Sequence, residues 1–497
     1  MAANLKSLAK DTAIYGLSSI IGRFLNYLLV PLYTIKISAA SGGYGIITNV
    51  YAYVALLMVI LTYGMETTFF RYANKTDENP NKVYTTTLIS VGFTSLLFIL
   101  LVLGFLPTVA GLMGYAQHPD YIGVMAVCVA IDAFTAIPFA YLRYKRRPVK
   151  FASLKILNIL MLIGLNLVYY ILLPSLYAKY PDTIGAIYDP SVGAGYVFYI
   201  NLFCSAFMIF ALYRELFGFK YKFDWSLLKR MLSYSWPILV LGIAGILNQT
   251  ADKILFRFVY KRPDVDTQLG IYGAASKIAM IMAMITQAFR YAYEPFVFGK
   301  SQDKDNRATY AKAMKFFVIF TLFAFLAVMA YMDILKHIIG RDYWEGLKVV
   351  PIVMAAEIMM GIYFNLSFWY KLIDKTIWGA YFSGIGCFVL ICVNIIFVPY
   401  FGYMACAWAG FIGYATAMLF SYFVGQRQYP INYPLKSIFV YIILAGILFA
   451  AGQLTPIHNV WLRLIYRTVL LAIFVAYMVR HDIPLREIPV INRCFKK

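Results

Sequence analysis

Apolar residues run along this chain in stretches of about 20, each long enough to cross a bilayer as a helix rising 1.5 Å per residue, and the polar breaks between them are short. The pattern predicts about 14 spans. Six lie near residues 12–36, 44–63, 83–105, 121–141, 151–173 and 192–213. Six more follow near 233–258, 269–289, 314–331, 348–370, 376–398 and 401–424, and two close the chain near 435–454 and 460–479. Between the sets of six, Leu216, Phe217, Phe219, Phe223, Trp225, Leu227 and Leu228 alternate with Lys220, Lys222, Lys229 and Arg230. That mixture predicts an amphipathic segment on the inner membrane surface, and a solvated basic loop fits the same residues.

The two sets of six share a pattern. Leu25-Asn26 lies inside the first helix and Tyr44-Gly45 opens the second; Leu247-Asn248 and Tyr272-Gly273 stand in the matching places, 222 and 228 residues later. Each second helix ends in an aromatic segment with a carboxylate and an arginine, Glu66 to Arg71 and Arg290 to Glu294. Chance likeness between apolar helices is the alternative. Read as a parallel repeat about an axis along the membrane normal, the pattern predicts an all-α polytopic membrane protein with two pseudo-symmetric six-helix lobes plus two C-terminal helices. The expected organisation is an N-terminal lobe over 1–213, the amphipathic linker over 214–231 and a C-terminal lobe over 232–425. Two extra helices over 426–480 and a cytoplasmic tail over 481–497 complete it. The two opening hairpins are expected to enclose one polar cavity.

Composition agrees with the spans: 62% of the 497 residues are hydrophobic and 13% are charged, too apolar for a soluble globule. Residues 1–11 are polar and basic without a small-residue cleavage site, so the run over 12–36 reads as a retained helix rather than a cleaved signal. A net charge of +21 invites a nucleic-acid reading, yet most Lys and Arg gather in the termini and in alternate loops. That is the positive-inside pattern, which places both termini in the cytoplasm and leaves no basic surface for nucleic acid. Cys128, Cys204, Cys387, Cys392 and Cys406 fall in predicted spans and Cys494 in the tail, with no Cys-x-x-Cys, so neither a disulfide frame nor a metal site is suggested. There is no phosphate loop, His-Glu-x-x-His or Gly-x-Ser-x-Gly motif, and no long outward loop for catalytic residues; the chain does not read as an enzyme.

Charges inside spans carry the functional reading. Arg23 lies about 18 Å along the first helix, near the bilayer centre, where an unpaired cation costs about 2.5–3.5 kcal/mol. It is expected to face a polar cavity and serve an anion. Lys277, about 12 Å deep, is the second such cation; an internal ion pair with Asp132 or Glu357 is its structural alternative. Arg290 and Glu294 are four apart and suited to pair with each other. Asp252 and Lys253 are adjacent and expected to point to different faces. Asp132, Glu357 and Asp252 are candidates for ion coupling, since a carboxylate alternating between a desolvated and a cation-paired setting takes up and releases a proton or binds Na⁺. Pro31, Pro138, Pro237 and Pro351 are expected inside helices, where they favour kinks, and Pro295 after one.

Tyr15-Gly16 followed by Arg23 and Pro31-Leu32-Tyr33, the Gly43-Tyr44-Gly45 turn, Gly64-Met65-Glu66 running to Phe70-Arg71, and Ala288-Phe289-Arg290 before Glu294-Pro295 together resemble the Wzx-type polysaccharide flippases. These belong to the MATE/MOP superfamily. The resemblance implies a carrier of undecaprenyl-diphosphate-linked oligosaccharide repeat units across the bacterial inner membrane by alternating access, for O-antigen, capsule or exopolysaccharide assembly. Arg23, Lys277, Lys253 and Arg290 are then the candidates for the diphosphate, with Asn26, Asn49 and Asn248 lining a path for sugars, and Glu66, Arg71 and Glu294 at an inner gate. The last two helices resemble the family's extra pair and are expected to offer a groove to the lipid tail. No cofactor is implied beyond a coupling proton or Na⁺. Membrane lipids, the lipid-linked oligosaccharide and other polysaccharide-assembly proteins are the implied partners. A MATE-like exporter of small molecules, a membrane enzyme of polysaccharide assembly and a lipid scramblase are the alternatives.

Overall fold

A computed structural model describes residue 25 and residues 27–75, 78–218, 220–299, 306–373 and 375–482, with the backbone alone for 291–299 and 306. Every regular element among them is helical. Among the described residues twelve helices are long and apolar enough to cross a membrane, and a further apolar helix, Gly195–Ala211, is shorter. The predicted first span lies largely outside the described residues, as do Arg23 and Asn26. The chain is an all-α polytopic membrane protein.

By internal packing the chain divides into two compact units, residues 1–273 and 274–497. The first contains α1 (Leu29–Lys36), α2 (Gly43–Thr62), α3 (Met65–Ala73), α4 (Pro80–Gly104), α5 (Pro119–Tyr144), α6 (Pro148–Leu167), α7 (Gly195–Ala211), α8 (Trp225–Val259) and the start of α9 (Val265–Gly299). Here α5 packs on α2, α4 and α7, and α8 packs along α2 and α3. A core of Met65, Phe69, Val83, Tyr84, Val91, Ile137, Leu227 and Met231 joins α3, α4, α5 and α8. The second unit continues α9 and adds α10 (Asn306–Ala330), α11 (Val350–Leu366), α12 (Ile377–Phe401), α13 (Tyr403–Gln428), α14 (Leu435–Leu454) and α15 (Val460–His481). In it α13 packs on α11 and α12, and α10 on α11, α14 and α15.

Local chemistry explains where these helices start and stop. Asn79, Asp224 and Asn459 each accept a hydrogen bond from a first-turn N–H and so cap α4, α8 and α15. Tyr63 and Gly64, at φ 31° and 71°, turn the chain between α2 and α3, where the predicted span over 44–63 ends. The predicted linker and seventh span are not separate: α8 begins at Trp225 and runs for 35 residues, about 52 Å, longer than a bilayer core. Pro138 and Pro237 do lie inside helices. Pro351 does not, because α11 starts at Val350, where a missing N–H costs nothing. Pro295, expected beyond its helix, falls within α9.

Candidate functional site

The Tyr-Gly pairs of the repeat meet in the first unit. A Cβ on Gly45 would fall 1.8 Å from the carbonyl oxygen of Asp266, and one on Gly273 2.3 Å from Thr48 Oγ1, so Gly45 lets α2 meet the backbone at the start of α9 and Gly273 makes room for the Thr48 side chain. A polar network also joins α2 and α8. Asn49, fully buried, donates to the Lys253 carbonyl at 2.7 Å and accepts from the Tyr115 hydroxyl at 2.8 Å. Both its polar atoms are therefore used in packing, which corrects its expected role as a sugar-lining residue.

Asp252 and Lys253 form an ion pair of 3.0 Å, against the expectation that they face apart. The flexible lysine stem folds back over its own helix, where the ammonium also donates to the Gln249 carbonyl at 3.2 Å. Tyr272 donates to Asp252 at 2.6 Å. One turn on, Arg257 pairs with Asp266, donates to the Gly114 carbonyl at 2.6 Å and stacks over the Tyr115 ring at 4.0 Å. Arg257 and Asp266 were not among the sequence candidates, because both stand at the ends of predicted spans.

Asp132 occupies the middle of α5, where Ser205 donates to it at 2.7 Å and Cys128 lies 3.9 Å away. The charge that acts on it within this unit is that of Lys155 on α6, whose ammonium also stands 4.0 Å over the Phe139 ring. A buried carboxylate with a hydroxyl donor and a nearby cation has the chemistry to exchange a proton or hold Na⁺. Lys155 was legible as a lysine inside an apolar run and was passed over.

Where α4, α6 and α8 begin, charges pair across the unit. Glu66 meets Arg143 from α5 rather than Arg71, whose guanidinium sits over the Tyr234 ring at 4.0 Å. Lys150 binds the buried Glu215 at 2.7 Å, Arg230 binds Glu78 at 2.8 Å, and Lys82 pairs with Asp224. Asn248 is buried on α8 and donates to the Ala244 carbonyl at 3.0 Å.

In the second unit Lys277 and Glu357 are half-buried, and each already has a partner. Arg290 stands 5.0 Å over the Phe364 ring and edges a small crevice with Thr286, Phe289, Phe317, Asn365 and Phe368. Two polar atoms there, Thr286 Oγ1 and Asn365 Oδ1, are buried without a hydrogen-bond partner. Arg290, a predicted substrate cation, thus stands beside open hydrogen-bonding capacity. The backbone of Glu294 continues α9 one turn further on.

A family model described as "Polysaccharide biosynthesis protein" matches residues 8–292. The chain belongs to this family. As a polysaccharide biosynthesis protein it shares its fold with transporters of the MOP superfamily. It resembles the lipid II flippase MurJ in an inward closed conformation at a TM-score of 0.72 and 16% identity, over 94% of this chain and 98% of that one. It resembles an inward-facing multidrug resistance MATE family transporter of the MOP superfamily at 0.63 and 13%, over 82% and 94%. The MATE multidrug transporter DinF-BH follows at 0.56 and 17%, over 87% and 96%. No curated protein sequence matches it.

Proposed function

We propose that this protein carries undecaprenyl-diphosphate-linked oligosaccharide repeat units from the cytoplasmic to the outer leaflet of a bacterial inner membrane by alternating access, supplying O-antigen, capsule or exopolysaccharide assembly. The family match over residues 8–292 carries the reading, since it joins a membrane transporter fold to polysaccharide biosynthesis. Likeness to a lipid II flippase over nearly the whole of both chains supports a lipid-linked cargo. In this reading Arg23, Lys277 and Arg290 attract the diphosphate, while Thr286 and Asn365 hydrogen-bond cargo hydroxyls. Lys253, neutralised by Asp252, contributes less than the sequence suggested. Asp132 is the preferred coupling carboxylate, with Glu357 second; Asp252, already held by Lys253 and Tyr272, is third. Glu66, Arg71 and Glu294 serve an inner gate, with Glu66 held by Arg143. The protein is a transporter rather than an enzyme, with its termini cytoplasmic.

A MATE-like exporter is the second reading, favoured by the multidrug transporters among its structural relatives. The cheapest discrimination is accessibility of a fluorescent lipid-linked oligosaccharide in proteoliposomes under imposed proton or sodium gradients. Wild-type protein is expected to move it, Arg290→Ala to slow it about 10-fold or more, and Asp132→Asn to remove its dependence on one gradient. Movement of a soluble cation with none of the lipid would establish the exporter instead.

A further inference from the structure

At the start of α15, three cations share one carboxylate. Arg463 Nε lies 2.7 Å and Arg467 Nη1 3.2 Å from one oxygen of Asp333, and Lys336 Nζ lies 3.2 Å from the other. Arg467 is otherwise occupied, donating to the Gly452 carbonyl at 3.1 Å at the end of α14. Arg463 and Lys336 have Asp333 alone as an anionic partner among the described residues, and both keep an exposed edge, 26% and 22% of the side chain. The cluster therefore carries an excess of two positive charges. A helix N-terminus adds partial positive charge of its own, so cations in this first turn and the next are disfavoured unless an anion joins them. They also stand at the end of α15 remote from its basic tail, where the positive-inside bias provides no reason for them.

The surroundings specify what kind of anion. Between α10, α14 and α15 a narrow crevice, adjoining Arg467, is lined by Leu326, Met329, Leu448, Phe449, Leu470 and Leu471. The outer face of α15 is open, with Trp461 77% and Ile465 62% exposed on a span that is scarcely buried. A soluble anion would satisfy the charges and make no use of the apolar crevice beside them. An amphiphile satisfies both: its anionic head meets Arg463 and Lys336, and its chains follow the crevice and the lipid-facing side of α15.

The geometry points to a binding site for an anionic phospholipid, its phosphodiester held by the Arg463 guanidinium fork and the Lys336 ammonium with its acyl chains along α15. Arginine pairs with phosphate through two parallel N–H bonds, and lysine adds a mobile point charge. The lipid would complete the charge balance that Asp333 begins and tie α15 to the Met332–Leu335 helix. The inference holds whatever cargo the protein moves.

Native mass spectrometry of the delipidated full-length protein, titrated with phosphatidylglycerol and with phosphatidylcholine of the same chains, tests this. Wild type is expected to bind phosphatidylglycerol at least 10-fold more tightly. The double variant Arg463→Gln, Lys336→Gln should lose most of that preference while Lys336→Gln alone loses part, with helix content by circular dichroism unchanged in the single variant. No preference in wild type, or the same preference in both variants, overturns the proposal. Equal competition by inorganic diphosphate overturns it in favour of a soluble anion, and displacement by far lower concentrations of polyprenyl diphosphate in favour of a cargo site.

Discussion

Asp224 accepts hydrogen bonds from the Leu227 N–H and the Ser226 hydroxyl and pairs with Lys82. The Lys82 contact is the largest influence, and together these hold the Asp224 carboxyl well below the usual carboxylate range. A carboxyl whose folded pKa is depressed contributes stability that is fully present above its unfolded value, about 4, and is lost as the pH falls through the folded value. Asp224→Asn is therefore expected to flatten the acid limb of thermal stability in detergent below about pH 4. An acid limb of wild-type steepness would show that the cap and ion pair contribute nothing to the start of α8. The same residue illustrates what sequence reading reaches. Its cap is local, three residues from the Leu227 N–H, whereas Lys82, 142 positions away, becomes its partner only once α4 and α8 pack. Glu66 and Arg143 follow the same rule: charges near one another in sequence, such as Glu66 and Arg71, were paired by proximity, and the fold paired them by helix position. Lys253 failed for the opposite reason, since backbone direction gives the face of a residue but not the reach of a four-carbon stem.

At the scale of elements, the spans were legible because a helix in lipid must be apolar along its whole length. Not all of their joints were. The turn at Tyr63-Gly64 falls where the predicted span over 44–63 ends, whereas hydropathy does not register the continuity of α8 from Trp225 through Lys229 and Arg230, which backbone hydrogen bonding and the Asp224 cap decide. The Tyr-Gly repeat had a physical cause that its spacing alone did not state: both glycines are points of close approach. Gly45→Ala would drive a methyl into the Asp266 carbonyl, a backbone atom that moves only with α9, while Gly273→Ala meets the side chain of Thr48. Each substitution is expected to cost about 1–3 kcal/mol, with Gly45→Ala the worse. Thr48→Ala should restore part of the loss in Gly273→Ala and none in Gly45→Ala, read as unfolding midpoints in detergent. Equal rescue of both would mean that the two glycines relieve one shared strain rather than two separate contacts.

For the molecule as a whole, the direction of transport rests on orientation in the bilayer, and orientation rests on charge. Basic residues attract the cytoplasmic side of a membrane during insertion, and loops that cross to the other side are depleted in them. The chain follows this in the segment around Lys145, Arg146 and Arg147 and in the one that reaches Lys436, while the turns before Pro119 and before Val460 carry few cations. The Arg463 and Arg467 pair opposes the bias from within α15, where each is tied to Asp333. Single cysteines introduced by Arg146→Cys and Lys436→Cys are thus expected to resist a membrane-impermeant maleimide in intact cells and to react once the cells are opened. Gln117→Cys and His458→Cys should react in both. The reverse labelling of all four would place the basic loops outside and remove the proposed direction of flux while leaving the fold intact. A mixed result, with His458→Cys alone reversed, would instead put both ends of α14 on the cytoplasmic side, so that it does not cross, and locate the phospholipid site in the cytoplasmic leaflet.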